Sequence, residues 1–454
     1  MTTYFSLSNL SEILSANSSW GITDKNLNTP VLGIATDTRT IKSGEVFVAL
    51  VGDNFDGHSF ADAAIALGAI AIIVSHQLPT VDVPQFVVRD TLEAYQQIAL
   101  WWRHQLNIPV IGITGSVGKT STKELVAAVL GTQGKVLKTE GNFNNEIGVP
   151  KTILQITPEH DYAVIEMAMR GKGEIALLTD IARPTIGIIT NVGTAHIGRL
   201  GSKKAIAEAK CELLAQMPKT SMAVLNYDNS LLIETAKEVW QGKTITYGLM
   251  GGDIQGQVNG NTLQALEYSL PLPLPGKHNA SNYLAAVAVA QTLNIDLSIL
   301  EAGLNVELPK GRSRRYDLPD DIVVLDETYN AGLESMLAAI QMLKDTPGKR
   351  HVAVLGTMKE LGEYAPQLHR QVGEKARALN LDLLLVLADE NVTQEIVEGA
   401  VGIASECFSD RETLTNKLKQ IMQPGDRILC KASNSVGLSK VVEALIAEKS
   451  TALN

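Results

Sequence analysis

The residues best suited to chemistry lie in one short stretch, Gly115-Ser116-Val117-Gly118-Lys119-Thr120-Ser121. An apolar run before it predicts a buried strand, and apolar residues with helical spacing follow it. The two glycines allow the backbone to curl so that successive N–H groups point at a phosphate, next to the positive end of the helix. Lys119 would reach the outer phosphates, and the Thr120 hydroxyl would ligate Mg²⁺. The stretch therefore predicts a site for ATP or GTP.

Two further candidates lie on or after predicted strands of the same sheet. Glu166 interrupts an otherwise apolar strand, where a carboxylate is costly unless it meets a cation. It is either a metal ligand or half of a structural ion pair. His196 follows the strand that ends at Asn191, and it is either a residue of a capped loop or a second metal ligand. Ligands of an open parallel sheet bind beyond the carboxyl ends of its strands, so both residues are expected near the phosphate stretch.

Lys210 is the most unusual basic residue of the sequence. Helical spacing places it on the same face as the apolar residues Ile206, Leu213 and Leu214. A lysine on such a face ordinarily extends its ammonium group to solvent. If it cannot, burial lowers its pKa, and the neutral amine becomes a nucleophile that can capture CO₂ as a carbamate. The sequence leaves these two alternatives open.

The overall composition excludes several classes of protein. The 454 residues exceed what one core accommodates, and about three domains are expected. The formal net charge of −10 and the lack of a basic tract argue against nucleic acid as a partner. Three separated cysteines exclude a disulfide scaffold or a zinc cluster and fit a reducing cytoplasm. The residues Met1–Ser6 lack signal-peptide features and no apolar run is long enough to span a membrane, so neither export nor insertion is expected.

Alternating strands and helices predict an α/β protein with a largely parallel central sheet. We expect an N-terminal α/β domain over residues 1–95, a central phosphate-loop domain over 96–313 and a C-terminal α/β domain over 314–454. The last boundary follows a turn-rich stretch around Pro309. The predicted strands are Glu45–Leu50, Ala69–Val74, Tyr162–Ala168, Thr185–Thr190, Met222–Asn226, Ile322–Asp326, His351–Leu355, Leu383–Leu387 and Arg427–Lys431, and the predicted helices include Thr91–Gln105 and Ala280–Leu293.

Several longer motifs, taken together, resemble the Mur ligase family. Besides the phosphate stretch they are Gly141–Pro150, Thr190–His196, Ala209–Glu212 and His278–Asn282. The stretches that resemble the dipeptide-adding members of the family are Leu325–Ala331, Leu361–Tyr364, Asp37–Arg39 and Asp56–His58. The motifs span nearly the whole chain in the family's order, so chance similarity explains them poorly.

The resemblance implies an ATP-dependent amide ligase of cytoplasmic peptidoglycan precursor synthesis. The carboxylate of a UDP-N-acetylmuramoyl-tripeptide would attack the γ-phosphate of ATP, and the amine of D-alanyl-D-alanine would then displace phosphate from the acyl phosphate. In chain order, the family's domains hold the UDP end of the substrate, ATP, and the incoming amino compound on a Rossmann-like fold. The implied cofactors are ATP, two Mg²⁺ ions and a carbamoylated Lys210. The expected partners are small-molecule substrates, and a monomer is expected.

The same resemblance implies roles for individual residues. It assigns ATP to Gly115, Ser116, Val117, Gly118, Lys119, Thr120, Ser121, Asn282, Arg312, Asp326, Tyr329 and Asn330. It assigns metal to Thr120, Glu166, His196 and carbamoylated Lys210, and catalysis to Lys119, Lys210, His196 and Glu166. It assigns the UDP-linked substrate to Thr38, Arg39, His58, Asn144 and Asn145.

The chain departs from the family pattern at two positions. Thr357 stands where many members have aspartate, and Asn434 stands where an arginine is common. The second change leaves open how the carboxylate of the dipeptide is held, and Lys431 is the candidate that the sequence offers.

Two alternative functions remain. One is a sibling ligase that adds the third residue of the muramoyl peptide or extends folylpolyglutamate. The Asp-Asn-Pro-Arg tetrapeptide usual in the diaminopimelate-adding sibling is absent from this sequence. The other is a phosphate-loop ATPase that works as a nucleotide-dependent switch, which would not need a substrate domain on each side of its nucleotide domain. The sequence does not determine whether the third residue of the acceptor peptide is diaminopimelate or lysine.

Overall fold

A computed structural model gives the fold of residues 5–14 and 18–451. Three large sheets, each packed against helices, follow one another along the chain, which confirms the prediction of a three-domain α/β protein. The first four residues, on which part of the targeting prediction depends, lie outside the described residues. Within those residues no helix combines the length and the apolar character needed to cross a membrane.

The N-terminal elements form a small α/β unit around a five-stranded sheet. They are β1 (Phe5–Ser6), α1 (Leu7–Leu14), β2 (Ser18–Trp20), β3 (Pro30–Val31), β4 (Gly33–Ala35), β5 (Glu45–Val48), β6 (Val51–Gly52), β7 (Phe55–Asp56), α2 (Ala61–Ala66), β8 (Ala71–Val74), β9 (Gln85–Val87) and α3 (Thr91–His104). The strand order is β2-β9-β8-β5-β4, and only β2 is antiparallel to its neighbour. Strand β8 is buried along its whole length, as expected for a parallel strand covered on both faces.

The central domain is built on a nine-stranded sheet. Its elements are β10 (Val110–Thr114), α4 (Lys119–Leu130), β11 (Val136–Lys138), α5 (Gly148–Leu154), β12 (Tyr162–Glu166), α6 (Glu174–Ala182), β13 (Ile186–Ile189), α7 (Ile197–Leu200), α8 (Lys203–Gln216), β14 (Met222–Asn226), α9 (Ser230–Val239), β15 (Lys243–Gly248), β16 (Ile254–Asn259), β17 (Thr262–Ala265), β18 (Tyr268–Pro271) and α10 (Lys277–Thr292). The strand order is β11-β12-β10-β13-β14-β15-β16-β17-β18. The sheet is parallel up to β16, and β16 to β18 form an antiparallel extension that the sequence did not predict.

Helices cover both faces of the central sheet. Helices α4 and α10 pack on one face, and α10 is rich in alanine, which lets it approach its neighbours closely. Helices α5, α6 and α8 pack on the opposite face. The carboxyl ends of β10, β12 and β13 consequently meet at one edge of the sheet, where the phosphate stretch begins.

The C-terminal domain is a second, mostly parallel sheet. Its elements are β19 (Arg314–Leu318), β20 (Ile322–Asp326), α11 (Leu333–Asp345), β21 (Arg350–Gly356), α12 (Ala365–Ala378), β22 (Leu383–Leu387), α13 (Glu395–Gly399), β23 (Ser405–Phe408), α14 (Arg411–Ile421), β24 (Asp426–Lys431) and α15 (Ser439–Thr451). The strand order is β19-β20-β24-β21-β22-β23, with β19 antiparallel. One cluster of buried apolar side chains continues from α7 and α8 into α11 and the segment after β21, so the two domains pack directly against each other.

Candidate functional site

The phosphate stretch forms a tight loop between β10 and α4. The N–H groups of Ser116 and Val117 donate to the main-chain oxygen and to the Oδ1 atom of Asn191, at 3.1 and 3.0 Å. The Thr190 hydroxyl donates to the carbonyl oxygen of Val117 at 2.6 Å. These bonds fix the loop on the carboxyl end of β13. They also occupy the N–H groups of Ser116 and Val117, although both residues line the cavity and their assignment to ATP stays a prediction.

The N–H groups at the N-terminus of α4 are the ones free to donate hydrogen bonds to a phosphate. Within the described residues, no protein acceptor faces the N–H groups of Gly118, Lys119 and Thr120. Gly118 starts the helix with φ +83°, a left-handed conformation that favours glycine. Gly115 has no room for a side chain, because a Cβ atom there would lie 1.9 Å from Thr190 Oγ1. Free N–H groups at a helix start, beside two obligatory glycines, form an anion site.

Glu166 ends β12 and lies beside the same helix. Its Oε2 atom accepts a hydrogen bond from the Thr120 hydroxyl at 2.9 Å, and its Oε1 atom accepts one from Asn144 Nδ2 at 2.8 Å. Its N–H group donates to Thr139 Oγ1 at 3.0 Å. Glu166 is buried and has no ion-pair partner in the described part of the chain, so the structural ion pair is not observed. A hydroxyl and a carboxylate oxygen side by side are the donors that Mg²⁺ prefers.

Two lysines lie in this region: Lys119, whose ammonium donates to the main-chain oxygen of Gly115 at 2.7 Å, and Lys210. Burial lowers the pKa of Lys119, and the Glu166 carboxylate partly opposes that effect. Burial and the nearby Lys119 ammonium hold the pKa of Lys210 well below its ordinary value. Lys210 is only 2% exposed, so the alternative in which its side chain reaches solvent is wrong. Neither lysine forms an ion pair with any residue that the structure describes.

His196 lies in the loop that follows β13. Its φ is +66°, and its Nδ1 atom lies 2.6 Å from Glu360 Oε2 of the C-terminal domain, close enough for an ion pair but not aligned as a hydrogen bond. Burial lowers the pKa of His196, and the Glu360 carboxylate opposes that shift. The charges of Lys119 and Lys210 also lower it, and His196 lines the same cavity as Lys119. A carboxylate beside one ring nitrogen is the common arrangement of a metal-bound histidine.

A cavity of about 680 Å³ separates the phosphate loop from the C-terminal domain. On its far side the Arg312 guanidinium lies 3.9 Å from the centre of the Tyr329 ring. The Nε atom of Arg312 is buried without a hydrogen-bond partner in the described residues, so a positive donor is free at the cavity. Asn282 also lines the cavity and donates to Asn279 Oδ1 at 3.2 Å. The cavity therefore offers an aromatic ring, an amide and a cation beside the anion site.

Two acidic side chains of the C-terminal domain join it to the loop after β13. Glu334, at the start of α11, accepts hydrogen bonds from the N–H and the hydroxyl of Thr194, at 2.9 and 3.0 Å. Glu360 pairs with His196 and, at 3.4 Å, with Arg199. The position of this loop, and of the histidine on it, thus depends on contacts across the domain boundary.

Most of the predicted site residues line the cavity, and the remaining ones of the central and C-terminal domains lie outside its lining. The predicted residues that line the cavity are Ser116, Val117, Gly118, Lys119, Thr120, Ser121, His196, Asn282, Arg312, Tyr329, Asn330 and Lys431. Those beneath or beside it are Gly115, Asp326, Asn144, Asn145, Glu166 and Lys210. Asp326 accepts hydrogen bonds from the N–H and the hydroxyl of Thr328, so it shapes the loop that carries Tyr329. The Asn145 side chain accepts from the N–H of Gly148 at 2.9 Å and so caps the start of α5.

The N-terminal candidates lie apart from this cavity. Arg39 is exposed and pairs with Asp37 at 2.6 Å, and this pairing lowers the pKa of Asp37 to about 2. His58 is buried, with Nδ1 2.6 Å from Asp56 Oδ1 and with Nε2 accepting from the Ser75 N–H at 2.9 Å. Both ring nitrogens of His58 therefore contact groups inside the domain, and the assignment of His58 to the UDP-linked substrate stays a prediction. Thr38 is half-buried next to Arg39.

Three charged residues near the cavity escaped the sequence analysis. Glu334 and Glu360 sit on α11 and after β21, and nothing in their local sequence indicates a partner in another domain. Lys359 lines the cavity and pairs with Asp389 at 3.0 Å and with Glu390 at 2.6 Å. Lys431, which the sequence did offer as a candidate, is buried, and its ammonium donates to the carbonyl oxygen of Asn330 at 2.9 Å.

Known protein families match almost the whole chain. Residues 30–103 match the Mur ligase family catalytic domain, residues 113–290 the Mur ligase middle domain, and residues 311–434 the Mur ligase glutamate ligase domain. The UDP-N-acetylmuramoyl-tripeptide–D-alanyl-D-alanine ligase of Synechocystis sp. is 60% identical over 422 residues, which cover 92% of this chain and 93% of the relative.

Solved structures agree with this similarity. A MurF crystal structure from Acinetobacter baumannii superposes with a TM-score of 0.88 at 29% identity and covers 98% of this chain and 99% of its own. The MurF ligase of Thermotoga maritima in complex with ADP gives a TM-score of 0.83 at 30% identity and covers 92% of this chain and 98% of its own.

Proposed function

The chain belongs to the Mur ligase family, and we propose that it joins D-alanyl-D-alanine to a UDP-N-acetylmuramoyl-tripeptide with cleavage of ATP. Similarity over nearly the full length to ligases of this name supports the substrates. The observation that carries the proposal is the cavity that places Lys119 and the free N–H groups at the start of α4 opposite a second domain, with the buried Lys210 beside it. A polyphosphate neutralises such charges, and the second domain supplies the surface for an incoming amine.

ATP binds with its phosphates at the start of α4. The free N–H groups of that helix and the Lys119 ammonium meet the β- and γ-phosphates, and the neighbouring Ser121 belongs to the same turn. Asn282 lies on the side of the adenine, and Arg312 on the side of the phosphates. Tyr329, with Asp326 and Asn330 on the same loop, completes the site from the C-terminal domain.

The residues present fit a magnesium site of the kind that a nucleotide completes. Thr120 and Glu166 supply adjacent oxygen donors, and His196 approaches from the loop after β13. Among the described residues no three acidic, histidine or cysteine side chains form a ready metal cluster, so phosphate oxygens must supply further ligands. When bound, Mg²⁺ neutralises the charge that develops on the transferred phosphoryl group.

Lys210 carries a carbamate in the active enzyme. Its amine is buried close to Lys119, a situation that disfavours two ammonium ions and favours the neutral amine that reacts with CO₂. Addition of the amine to CO₂ and loss of one proton convert a cation into an anion on a long side chain. That anion relieves the repulsion from Lys119 and is a ligand for a second Mg²⁺.

The chemistry then requires mainly positioning. The carboxylate of the tripeptide attacks the γ-phosphorus and ADP leaves, so that one carboxylate oxygen becomes the bridging oxygen of an acyl phosphate. The amine of D-alanyl-D-alanine attacks the carbonyl carbon, the phosphate leaves with the bridging oxygen, and the amine loses a proton. Lys119 stabilises charge on the phosphoryl group throughout, an effect that is large in a site from which water is excluded.

The substrates approach from opposite sides of the nucleotide. Asn144 and Asn145, next to Glu166, face the muramoyl peptide, and Thr38 and Arg39 lie on the domain that binds UDP. His58 holds the β6–β7 hairpin of that domain through Asp56 and Ser75. Because one chain forms the whole cavity, we expect a monomer, and we expect it in the cytoplasm, where ATP and UDP-linked precursors occur.

Release of ADP in the presence of single and combined substrates tests the proposal. ADP should appear at a high rate only when UDP-N-acetylmuramoyl-tripeptide, D-alanyl-D-alanine, ATP and Mg²⁺ are all present, together with an equal amount of the pentapeptide product. Free D-alanine and L-amino acids in place of the dipeptide are the matched controls and should be poor acceptors. Efficient use of a free amino acid would assign a sibling activity, and ADP release without either substrate would favour a nucleotide switch.

A further inference from the structure

A further buried lysine lies beneath the nucleotide site and takes no part in the chemistry described above. Lys123 belongs to the second turn of α4 and is 1% exposed. Its ammonium donates to the main-chain oxygen of Thr139 at 2.7 Å and pairs with Glu124 Oε1 at 3.0 Å. A buried charge is costly unless it is fully paired, so this position calls for a reason beyond packing.

The face of α4 that carries Lys123 also carries the nucleotide ligand. Thr120 lies three residues earlier, so both side chains project from the same side of the helix. Thr120 contacts the Glu166 carboxylate, and Lys123 contacts Thr139 in the segment after β11. The helix is therefore attached at two neighbouring points, the carboxyl end of β12 and the segment just after β11.

Thr139 connects those two points. Its hydroxyl accepts the hydrogen bond from the N–H of Glu166 at 3.0 Å, and its own N–H donates to the carbonyl oxygen of Val164 at 3.0 Å. Five residues further on, Asn144 donates to the Glu166 carboxylate and accepts from the N–H of Ala168, at 2.8 and 2.9 Å. The segment from Thr139 to Asn144 is thus fastened to β12 at both ends and to α4 by Lys123.

We propose that Lys123 is a positioning residue, whose buried ammonium ties the nucleotide-binding helix to the segment that carries Asn144 and so sets the acceptor carboxylate against the γ-phosphate. The inference rests on the proposed function, because Asn144 and Asn145 are taken there to face the muramoyl peptide. In-line attack depends on distances that a shift of about 1 Å disrupts, with losses of ~10²-fold in comparable cases. Lys123 acts through Thr139 and Asn144 and needs no contact with a substrate.

The chain offers a matched control within the same group of charges. Lys138 pairs with Glu124 from the other side and is half-exposed, and its ammonium forms no hydrogen bond with the neighbouring Thr139. Lys123→Met and Lys138→Met therefore each remove one lysine from the same carboxylate. Only Lys123→Met removes the hydrogen bond to the main-chain oxygen of Thr139.

The experiment combines kinetics with hydrogen exchange in the protein without ligands. Lys123→Met should lower kcat/KM for the UDP-linked tripeptide by about tenfold or more, leave KM for D-alanyl-D-alanine unchanged, and speed exchange of the amides of residues 139–148. Lys138→Met should do neither. Equal behaviour of the two variants, or a loss spread evenly over all three substrates, would overturn the proposal.

A second pair of variants keeps the test decisive if Lys123→Met does not fold. Thr139→Val removes the acceptor for the Glu166 N–H at constant volume, and Thr139→Ser retains it. The valine variant should show the faster exchange and the selective loss for the tripeptide, and the serine variant should resemble wild type. If both resemble wild type, the segment is not held as proposed. Failure of the wild type to ligate would instead count against the proposed function, while the exchange result would still stand.

Discussion

The cavity has a central wall, formed by the phosphate-loop domain, and a C-terminal wall, formed by the last domain, and the charged side chains on the two walls differ in their partners. On the central wall, neither Lys119 nor Lys210 has an ion-pair partner in the described residues: the half-buried Lys119 donates to the main-chain oxygen of Gly115 at 2.7 Å, and Lys210 is buried. On the C-terminal wall Glu360 pairs with His196 and Arg199, Lys359 pairs with Asp389 and Glu390, and Glu334 accepts two hydrogen bonds from Thr194, whereas Lys431, like Lys119, donates only to main-chain oxygens.

This difference suggests separate roles: charges without an ion-pair partner serve the reaction, and paired charges hold the two domains together. A buried charge without a partner destabilises the fold, and it persists where a ligand of opposite charge completes it. Charges that already have partners instead fix the relative position of two domains. The central wall is therefore expected to determine turnover, and the C-terminal wall to determine how well the second substrate is placed and how stable the closed arrangement is.

The largest effect should come from the central wall. Lys119→Ala removes the cation nearest the transferring phosphoryl group, and such a loss costs about 3 kcal/mol or more of transition-state stabilisation. Ligation should fall by at least ~10²-fold, while the unfolding temperature stays near that of wild type. Steady-state kinetics and thermal unfolding of the same preparation check both parts. Near-normal turnover in a folded variant would contradict the assignment of the phosphate site.

The second prediction concerns the carbamate on Lys210. Lys210→Ala should be nearly inactive, because it removes the anion expected beside the metal, and acetate or formate should restore part of the activity by occupying the vacated position. Lys210→Arg is the matched variant and should not be rescued, since a guanidinium does not take up CO₂ and keeps the wrong charge. ¹³CO₂ labelling of wild type should give a carbamate signal that both variants lack. No signal, together with an active alanine variant, would remove the carbamate from the mechanism.

A smaller, selective effect is expected on the C-terminal wall. Glu334→Ala removes two hydrogen bonds from a carboxylate to Thr194, worth about 1.5–3 kcal/mol for a charged acceptor, and so weakens the contact between the domains. KM for D-alanyl-D-alanine should rise by about tenfold, with a lesser change in kcat. Asp345→Ala, at the other end of the same helix, is the control and should leave both constants unchanged. If Glu334→Ala lowers kcat as much as Lys119→Ala does, the two walls do not have the separate roles described here.

The smallest effect concerns stability rather than turnover. His369 is buried under the segment after β21, with Nε2 accepting from the N–H of Met358 at 3.0 Å and Nδ1 lying 2.7 Å from the Ala365 carbonyl oxygen. These bonds need the neutral ring, and burial lowers the pKa of His369 below its ordinary 6.5.

A histidine with a lowered pKa binds its proton less well in the folded chain than in the unfolded one. Its contribution to stability is therefore complete above pH 6.5 and is lost as the pH falls below that value. Denaturant unfolding at about pH 7.5 and about pH 5.5 should show a smaller loss on acidification for His369→Gln than for wild type. The ligation rate of His369→Gln at pH 7.5 should be nearly that of wild type. If acidification lowers the free energy of unfolding equally in both proteins, His369 is not a source of the acid sensitivity.

The sequence predicted the central wall well because its features are local. The phosphate loop, the strand before it and the helix after it depend on residues within one stretch, and the central strand Met222–Asn226 has the predicted bounds. The strands Ile322–Asp326 and Leu383–Leu387 of the C-terminal domain also have the predicted bounds. Their unbroken apolar runs are typical of parallel strands buried on both faces. The strands β16 to β18 escaped prediction because they are short, half-exposed and rich in polar residues.

The features that were missed depend on distant parts of the chain. The N–H groups of Ser116 and Val117 are taken up by Asn191, which motif spacing alone does not indicate. Glu334 meets Thr194 across 140 residues of sequence, and a solvated acidic residue at a helix start would look the same. His58 has both polar atoms occupied by neighbours that only the fold brings together.

Transfer of ¹⁸O from the tripeptide carboxylate to phosphate tests the central claim most directly. UDP-N-acetylmuramoyl-tripeptide labelled with ¹⁸O in its terminal carboxylate is incubated with the protein, ATP, Mg²⁺ and D-alanyl-D-alanine, and the released phosphate is examined by mass spectrometry. If ATP activates the carboxylate as an acyl phosphate, one ¹⁸O atom should appear in each phosphate for each amide bond formed. Unlabelled phosphate, released whether or not the dipeptide is present, would contradict the account and would describe an ATPase that does not couple cleavage to ligation.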